Sequence, residues 1–144
     1  IFGQKDYQQL AIIARMARDL DTGIEIIGAP IVRESDGLAM SSRNVRLDPA
    51  QRRAAVCVPQ SLDAAAARAG RPDSTPADVV RAAVDVIAAE PLATHEYTTV
   101  FDADSLTEIV DFKGVERSPG RVRIATAVWF GDVRLIDNRD LFDD

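Results

Sequence analysis

Apolar residues in the first twenty positions recur at the spacing of an amphipathic helix. Segment 7–20 places them on one wide stripe, which consists of Leu10, Ile12, Ile13, Ala14, Met16, Ala17 and Leu20. An apolar face of this width is typical of a helix that packs against a sheet. The pattern predicts a helix over residues 7–20. We expect Asp21-Thr22-Gly23 to end it, with Gly23 as the C′ residue, because glycine readily takes the left-handed conformation found after a helix.

Residues 24–27 form a short, mostly β-branched run that predicts a buried strand. Residues 28–47 have little periodicity and contain proline, glycine and a serine cluster, so they are predicted to form a loop. A helix followed by a strand is typical of the end of a parallel α/β unit that began upstream. We therefore place a domain boundary in the loop, with residues 1–40 closing an α/β domain and residues 41–144 forming a second domain.

The second domain opens with helix signals. Asp48 precedes Pro49 and lies three residues before Gln51, an arrangement that predicts an N-terminal capping box. Pro59 falls inside the same helical segment and should kink or split it, because proline lacks an amide donor. Thr75 is predicted to start the next helix by the same capping logic.

Strand signals replace helix signals from residue 96 onward. Residues 97–101 and 121–130 are rich in β-formers, and Gly131-Asp132 is predicted to turn the chain into a third strand at 133–136. The predicted fold class is α/β, in which the end of one α/β domain is followed by a small α+β domain with antiparallel strands.

Composition and charge exclude several classes of protein. The 144 residues are 47% hydrophobic with a net charge of −6, so a packed globular protein is expected and nucleic acid is disfavoured as a partner. No stretch reaches the ~20 apolar residues of a membrane span. The single cysteine, Cys57, fits a reducing cytoplasm and is interpreted as a small buried hydrophobe. The chain begins with Ile1, as a fragment or a processed product would.

A polar cluster precedes the first helix, with the sequence GQKDYQQ at positions 3–9. Gly3 would let a ligand approach the backbone closely, the first-turn amides favour an anion, and Lys5 adds a positive charge. Asp6 could accept hydrogen bonds from a ribose. On these grounds alone, the more common interpretation is that Asp6 caps the helix and that Lys5 is solvated.

A second polar cluster lies in the long loop, with the sequence MSSRN at positions 40–44. Ser41, Ser42 and Arg43 would make a phosphate clamp, because two hydroxyl donors stand beside a permanent cation. The alternative is a polar surface loop with incidental charge. The length of the loop, and Met40 within its polar stretch, favour a functional loop.

Together the two clusters resemble the motifs of the pantothenate synthetase (pantoate–β-alanine ligase) family. The resemblance covers FGQKDYQQL at 2–10, VRE followed by DGLAMSSRN within 32–44, and FGDVRLIDN at 130–138. It spans nearly the whole chain and implies the C-terminal half of a family member. The first domain would then be the end of a Rossmann-like nucleotide-binding domain, and the second would be its lid.

The resemblance also implies roles for individual residues. Lys5 would bind ATP phosphate, Gln9 would bind pantoate, and the backbone of Val32 would hold adenine. Gly3 and Asp6 would lie near the ribose. The implied ATP-binding set comprises Gly3, Gln4, Lys5, Asp6, Val32, Met40, Ser41, Ser42 and Arg43. The implied catalytic set comprises Lys5, Ser41, Ser42 and Arg43.

The implied chemistry has two steps. The pantoate carboxylate attacks the α-phosphate of ATP to give pantoyl adenylate and pyrophosphate, and the amine of β-alanine then displaces AMP. Residues 40–43 would form the loop that closes over the triphosphate, where alignment and charge neutralisation do most of the work. Mg²⁺ is expected with the ATP, without a protein cage of its own. The resemblance also allows a homodimer.

The chain departs from the family pattern at several positions. Gln4 stands where many relatives have glutamate, and Ser35 where many have proline, and both changes are taken as tolerated. The His-x-Gly-His motif of the nucleotide site is absent together with the N-terminal half, and the one histidine, His95, is interpreted as a surface or strand-edge residue. We therefore expect the chain alone to be catalytically inactive. The alternatives are a stand-alone nucleotide-binding or regulatory module and a structural domain with no ligand.

Overall fold

The computed structural model describes residues 1–143. Its elements, in chain order, are β1 Phe2–Gly3, α1 Tyr7–Asp19, β2 Gly28–Ala29, α2 Pro49–Ala54, α3 Cys57–Ala69, α4 Pro76–Ala88, β3 Thr94–Asp102, β4 Val122–Phe130 and β5 Val133–Asp140. Two 3₁₀ turns, Gln4–Asp6 and Ser42–Arg46, precede α1 and α2. Strands β1 and β2 pair in parallel, while β3, β4 and β5 form an antiparallel sheet with β4 in the centre. The predicted fold class is confirmed.

The predicted first helix is confirmed, and it ends before Asp21-Thr22-Gly23 as expected, but Gly23 is not its C′ residue. Asp21 rather than Gly23 takes the left-handed conformation directly after the helix, with φ of 46°. Its amide donates to the carbonyl of Arg18, and the Thr22 amide donates to that of Ala17, which is the double closure of a Schellman motif. An aspartate tolerates this conformation better than most residues, so the glycine is not needed there.

The strand predicted at 24–27 is wrong. Strand β2 covers only Gly28–Ala29, which pairs with Phe2–Gly3. Residues 24–27 lie outside any strand, and the carbonyl of Ile27 accepts one hydrogen bond from the Phe2 amide. A β-branched run becomes a strand only where a neighbouring strand supplies hydrogen-bond partners. Among the described residues, no other strand lies beside this run.

The helix signals of the second half are confirmed. Asp48 and Gln51 form the capping box of α2, and Thr75 and Asp78 form that of α4. The helical segment divides between Ala54 and Cys57, so that the proline at position 59 lies in the first turn of α3, where its missing amide leaves no bond unmade.

The core lies between α3, α4 and one face of the antiparallel sheet. Its largest fully buried side chains include Val58, Leu62, Val79, Ile87, Ile124, Val128 and Phe130. The hairpin predicted at Gly131-Asp132 joins β4 to β5, and Gly131 has the positive φ of 61° that such a tight connection needs. Cys57 is buried in this core, as predicted. His95 is exposed on β3, also as predicted.

Helix α1 differs from the other long helices because none of its residues is fully buried. Ile12, Met16 and Leu20 are 60%, 52% and 68% exposed. Ile24 and Ile27, just beyond the helix, are exposed as well. The described residues thus leave one apolar face uncovered. No helix among them is both long and apolar enough to cross a membrane.

Candidate functional site

The two polar clusters meet in the structure. The ammonium nitrogen of Lys5 donates to the carbonyl oxygens of Ala39 and Met40, both at 3.1 Å. The two motifs are 34 and 35 positions apart along the chain at these contacts. A lysine that bonds two carbonyls of a loop holds that loop at a fixed distance from the start of α1.

The loop that receives Lys5 is a small hairpin. The Met40 amide donates to the carbonyl of Val32 at 2.9 Å, and the Glu34 amide donates to that of Leu38 at 2.8 Å. Gly37 makes the turn with φ of 89°. Leu38 is buried, whereas Val32 and Met40 are 65% and 54% exposed. The hairpin therefore places Val32, which is predicted to hold adenine, beside Met40, the first residue of the predicted phosphate-binding loop. Both residues lie on the surface.

Side chains brace the hairpin from behind. Asn44 donates to Glu34 and to the carbonyl of Ala39, while Arg52 of α2 bonds both Glu34 and Asp36. The hydrogen bond from Asn44, with that from Arg52, lowers the pKa of Glu34. The bond from Arg52 likewise lowers the pKa of Asp36. Two carboxylates held ionised by one guanidinium fix the base of the loop.

The predicted phosphate clamp forms a single 3₁₀ turn. The hydroxyl of Ser41 accepts a hydrogen bond from the Arg43 amide at 3.2 Å, so Ser41 starts the turn Ser42–Arg46. Ser42 and Arg43 are exposed. The Arg43 guanidinium contacts the carbonyl of Arg134 on β5 at 3.4 Å. The hydroxyl of Ser42 and the remaining donors of Arg43 therefore face solvent, where an anion can reach them.

Lys5 occupies a half-buried and electrostatically balanced position. Desolvation lowers the pKa of Lys5, the carboxylates of Asp137 and Asp6 act in the opposite direction, and the guanidinium groups of Arg43 and Arg33 lower it further. Three cations and a buried carboxylate thus converge near the contact between the two motifs. Such a group of positive charges favours the binding of a polyanion.

Strand β5 supports both motifs from below. The guanidinium of Arg33 makes two hydrogen bonds to Asp137, at 2.7 and 3.1 Å, and the Asp137 side chain is only 1% exposed. The adjacent Asn138 donates to the carbonyls of Gln4 and Lys5 at 2.9 and 2.8 Å. Sequence reasoning assigned neither residue a role. The available signal was that both residues lie in the stretch 130–138, which the family resemblance covers.

A cavity of about 270 Å³ lies between the start of α1 and the outer face of the sheet. Its lining includes Lys5, Gln8, Gln9, Tyr97, Arg134 and Asp137. Gln9, the predicted pantoate ligand, therefore faces the same space as Lys5. The Arg134 guanidinium is anchored by two bonds to Glu96 of β3, at 2.7 and 2.8 Å. Residues 40–43 lie outside this lining.

The remaining predicted residues lie around the turn before α1. Gly3 and Asp6 are exposed, Gln4 is partly buried, and a β-carbon added at Gly3 would meet nothing within 4 Å. Asp6 occupies the N-cap position of α1 but makes no side-chain capping bond, so the simple capping interpretation is wrong. Residues 1–143 contain no group of three or more His, Cys, Asp or Glu side chains that could hold a metal ion.

Comparison with known proteins gives a consistent result. The model of the pantoate-beta-alanine ligase family matches residues 1–140. The pantothenate synthetase of Geobacter sp. (strain M21) is 46% identical over 143 residues, which is 99% of this chain and 49% of that protein. The enzyme of Moorella thermoacetica is 47% identical over 137 residues, or 95% of this chain and 46% of the relative.

Solved structures show the same fold. The pantothenate synthetase of Thermus thermophilus superposes with a TM-score of 0.86 at 36% identity and covers 99% of this chain and 49% of that one. The pantoate-beta-alanine ligase of Francisella tularensis has a TM-score of 0.62 at 24% identity, which shows a shared fold. This chain spans about half the length of the relatives that it matches. Because the family model covers nearly all of it, the chain belongs to the pantoate-beta-alanine ligase family.

Proposed function

We propose that this chain forms the C-terminal half of an ATP-dependent ligase that joins pantoate to β-alanine through a pantoyl adenylate. The observation that carries the proposal is the contact of the Lys5 ammonium with the carbonyls of Ala39 and Met40. That contact joins both family motifs at one point on the surface. The F. tularensis relative, solved with beta-gamma ATP and beta-alanine, supports the choice of substrates.

In this proposal, Lys5 and Arg43 neutralise the triphosphate. The carboxylate of pantoate attacks the α-phosphate, the bond to the bridging oxygen of pyrophosphate breaks, and negative charge develops on the leaving group. A lysine and an arginine near that oxygen stabilise the charge without any proton transfer. Ser41 and Ser42 add hydroxyl donors, and Mg²⁺ would travel with the phosphates rather than in a protein cage.

The neighbouring residues fit the rest of the substrates. Val32 is 65% exposed and lies beside Met40 on the hairpin, where an adenine ring can reach this residue. The cavity beside Gln9 has both an amide and the cation of Arg134, which suit the hydroxyl and carboxylate groups of pantoate. Gly3 leaves open space at the approach to the ribose.

We further propose that the 144 residues alone do not catalyse the ligase reaction. The apolar face of α1, with Ile12, Met16 and Leu20 exposed, would be covered by the upstream half of the ligase. That half would also supply the histidines of the nucleotide site, since this chain has only His95, far along the sequence on β3.

The test is AMP formation from ATP in the presence of both pantoate and β-alanine. We would assay this chain alone and the upstream half of the Geobacter sp. relative joined to this chain, here called the restored ligase. AMP formation by the restored ligase only, and only with both acids present, is the expected result. Turnover by the isolated chain would contradict the partial-site proposal. An inactive restored ligase that still binds ATP would favour a nucleotide-binding module.

A further inference from the structure

The side-chain amide of Asn138 has its full hydrogen-bonding capacity in use. Its nitrogen donates to the carbonyls of Gln4 and Lys5, at 2.9 and 2.8 Å. Its oxygen accepts from Nε and Nη2 of Arg123, at 3.2 and 2.7 Å. Asn138 is 2% exposed and Arg123 is 8% exposed. An amide that is buried and satisfied at all four positions has one orientation and holds its partners tightly.

The partners of this amide define the position of Lys5. Within residues 1–143, Asn138 is the only residue whose side chain hydrogen-bonds to the backbone of the turn Gln4–Asp6. Arg123 is itself fixed, because its guanidinium lies 4.3 Å from the centre of the Tyr7 ring at the start of α1. The backbone of Lys5 is therefore tied to β5, while its ammonium group is tied to the hairpin.

The adjacent residue of β5 ties down the other motif. Successive side chains of a strand point to opposite faces, so Asp137 and Asn138 reach different parts of the molecule. Asp137 binds Arg33, and Arg33 also donates to the carbonyl of Gly37 at the tip of the hairpin, at 2.9 Å. Asp137 and Asn138 thus hold the hairpin and the turn before α1 in fixed positions relative to each other.

We propose that Asn138 is a positioning residue for the ligase reaction, acting through Lys5. The inference rests on the proposed function. Asn138 lies under the turn and sets the height of the Lys5 backbone above the sheet, so that the ammonium group reaches the phosphates when the carbonyls of Ala39 and Met40 release it. A displacement of a catalytic group by about 1 Å can lower a rate about 100-fold.

Two substitutions in the restored ligase test this role. Asn138→Asp keeps the shape and the bond to Arg123 but replaces the donor by an oxygen that repels both carbonyls. Asn138→Leu removes the donor without adding charge. A loss of activity that both variants share is therefore not caused by electrostatic repulsion. Both should lower kcat about 100-fold with a smaller change in the KM for ATP. Thr75→Ala is the control, because it removes the cap of α4 far from both motifs and should lower Tm while leaving kcat unchanged.

A double-mutant cycle separates positioning from general damage. If Asn138 acts through Lys5, either Asn138 substitution should change kcat by less than about threefold once Lys5 is alanine. Additive losses would show that Asn138 acts independently, and they would overturn the inference. If the restored ligase is active and the Asn138 variants have the same kcat, this inference is overturned while the proposed function stands. An inactive wild type would overturn the proposed function, and this inference with it.

Discussion

The ammonium nitrogen of Lys5 lies 3.1 Å from the carbonyl oxygen of Met40, although 35 positions separate the two residues in the chain. In this arrangement the hairpin carbonyls occupy donors that a phosphate would use. A charged acceptor forms a stronger bond to an ammonium group than a neutral carbonyl does. ATP should therefore displace the carbonyls of Ala39 and Met40 from the Lys5 ammonium group.

Replacing Lys5 by methionine should remove the charge and keep the aliphatic stem. We expect the kcat of the restored ligase to fall about 100- to 1,000-fold, as for the loss of one electrostatic donor in the transition state. The matched control is Lys113→Met, because Lys113 is the only other lysine and is exposed on a distant loop. Equal activity of the two variants would contradict the role of Lys5.

The alkaline limb of the pH profile should report the protonation of Lys5. Desolvation lowers the pKa of Lys5 below the ordinary value of 10.5, so the cation is lost at a lower pH than for a solvated lysine. Hence kcat/KM for ATP, which reports the free enzyme, should decline as the pH rises toward 10.5. Lys5→Arg should keep its residual activity over the same range, because arginine stays protonated. An identical alkaline limb in both proteins would assign it to another group.

Arg43 and Arg46 lie on the same 3₁₀ turn and provide a matched pair. Arg43 is exposed near Lys5, whereas Arg46 contacts the exposed carboxylate of Asp132 at 3.2 Å. Arg43→Ala should raise the KM for ATP about tenfold or more, as expected for the loss of a charge-assisted hydrogen bond. Arg46→Ala should leave that KM within about twofold, since exposed pairs contribute little. Steady-state kinetics with varied ATP distinguishes the two, and a larger effect at Arg46 would refute the clamp.

The ion pair of Arg33 and Asp137 should matter for stability. Arg33→Leu removes the guanidinium that pairs with the buried carboxylate of Asp137, so the free energy of unfolding should fall by about 3 kcal/mol. Arg15→Ala breaks an exposed pair with Asp19 and should cost at most about 0.5 kcal/mol. Urea unfolding of the restored ligase measures both. Similar midpoints for the two variants would show that the buried pair is dispensable.

The buried thiol gives a pH dependence of stability. Burial raises the pKa of Cys57 from 9.0 to about 11. The unfolded chain therefore loses this proton first, and the contribution of the thiol to stability, complete below pH 9, is lost as the pH rises toward 11. The wild type should lose stability relative to Cys57→Ala over that range. If the free energies of unfolding of the wild type and of Cys57→Ala change in parallel over this pH range, the prediction is contradicted.

Local signals in the sequence were sufficient for the second half of the fold. The capping boxes at Asp48 and Thr75, the division of the helix before Pro59 and the turn at Gly131 all depend on residues close in sequence. The strand predicted at 24–27 failed because pairing depends on neighbouring strands, and the described residues supply only Phe2–Gly3.

The candidate site was predicted in part for the same reason. The motifs around Lys5 and Met40 could be found from their residues and from the family resemblance, but their direct contact is a long-range property. Asp137 and Asn138 were missed as site residues, because their role follows from lying beneath both motifs rather than from any local pattern. The sequence indicated only that both lie in the stretch 130–138 of the resemblance, and their burial became visible in the structure.

The most direct test of the central claim follows the oxygen atoms of pantoate. The restored ligase would be supplied with ATP, β-alanine and pantoate labelled with ¹⁸O in its carboxylate, and the AMP would be analysed by mass spectrometry. Attack of the carboxylate on the α-phosphate predicts one ¹⁸O atom in each AMP formed. Unlabelled AMP, or label appearing in orthophosphate with ADP as the product, would contradict the pantoyl adenylate route.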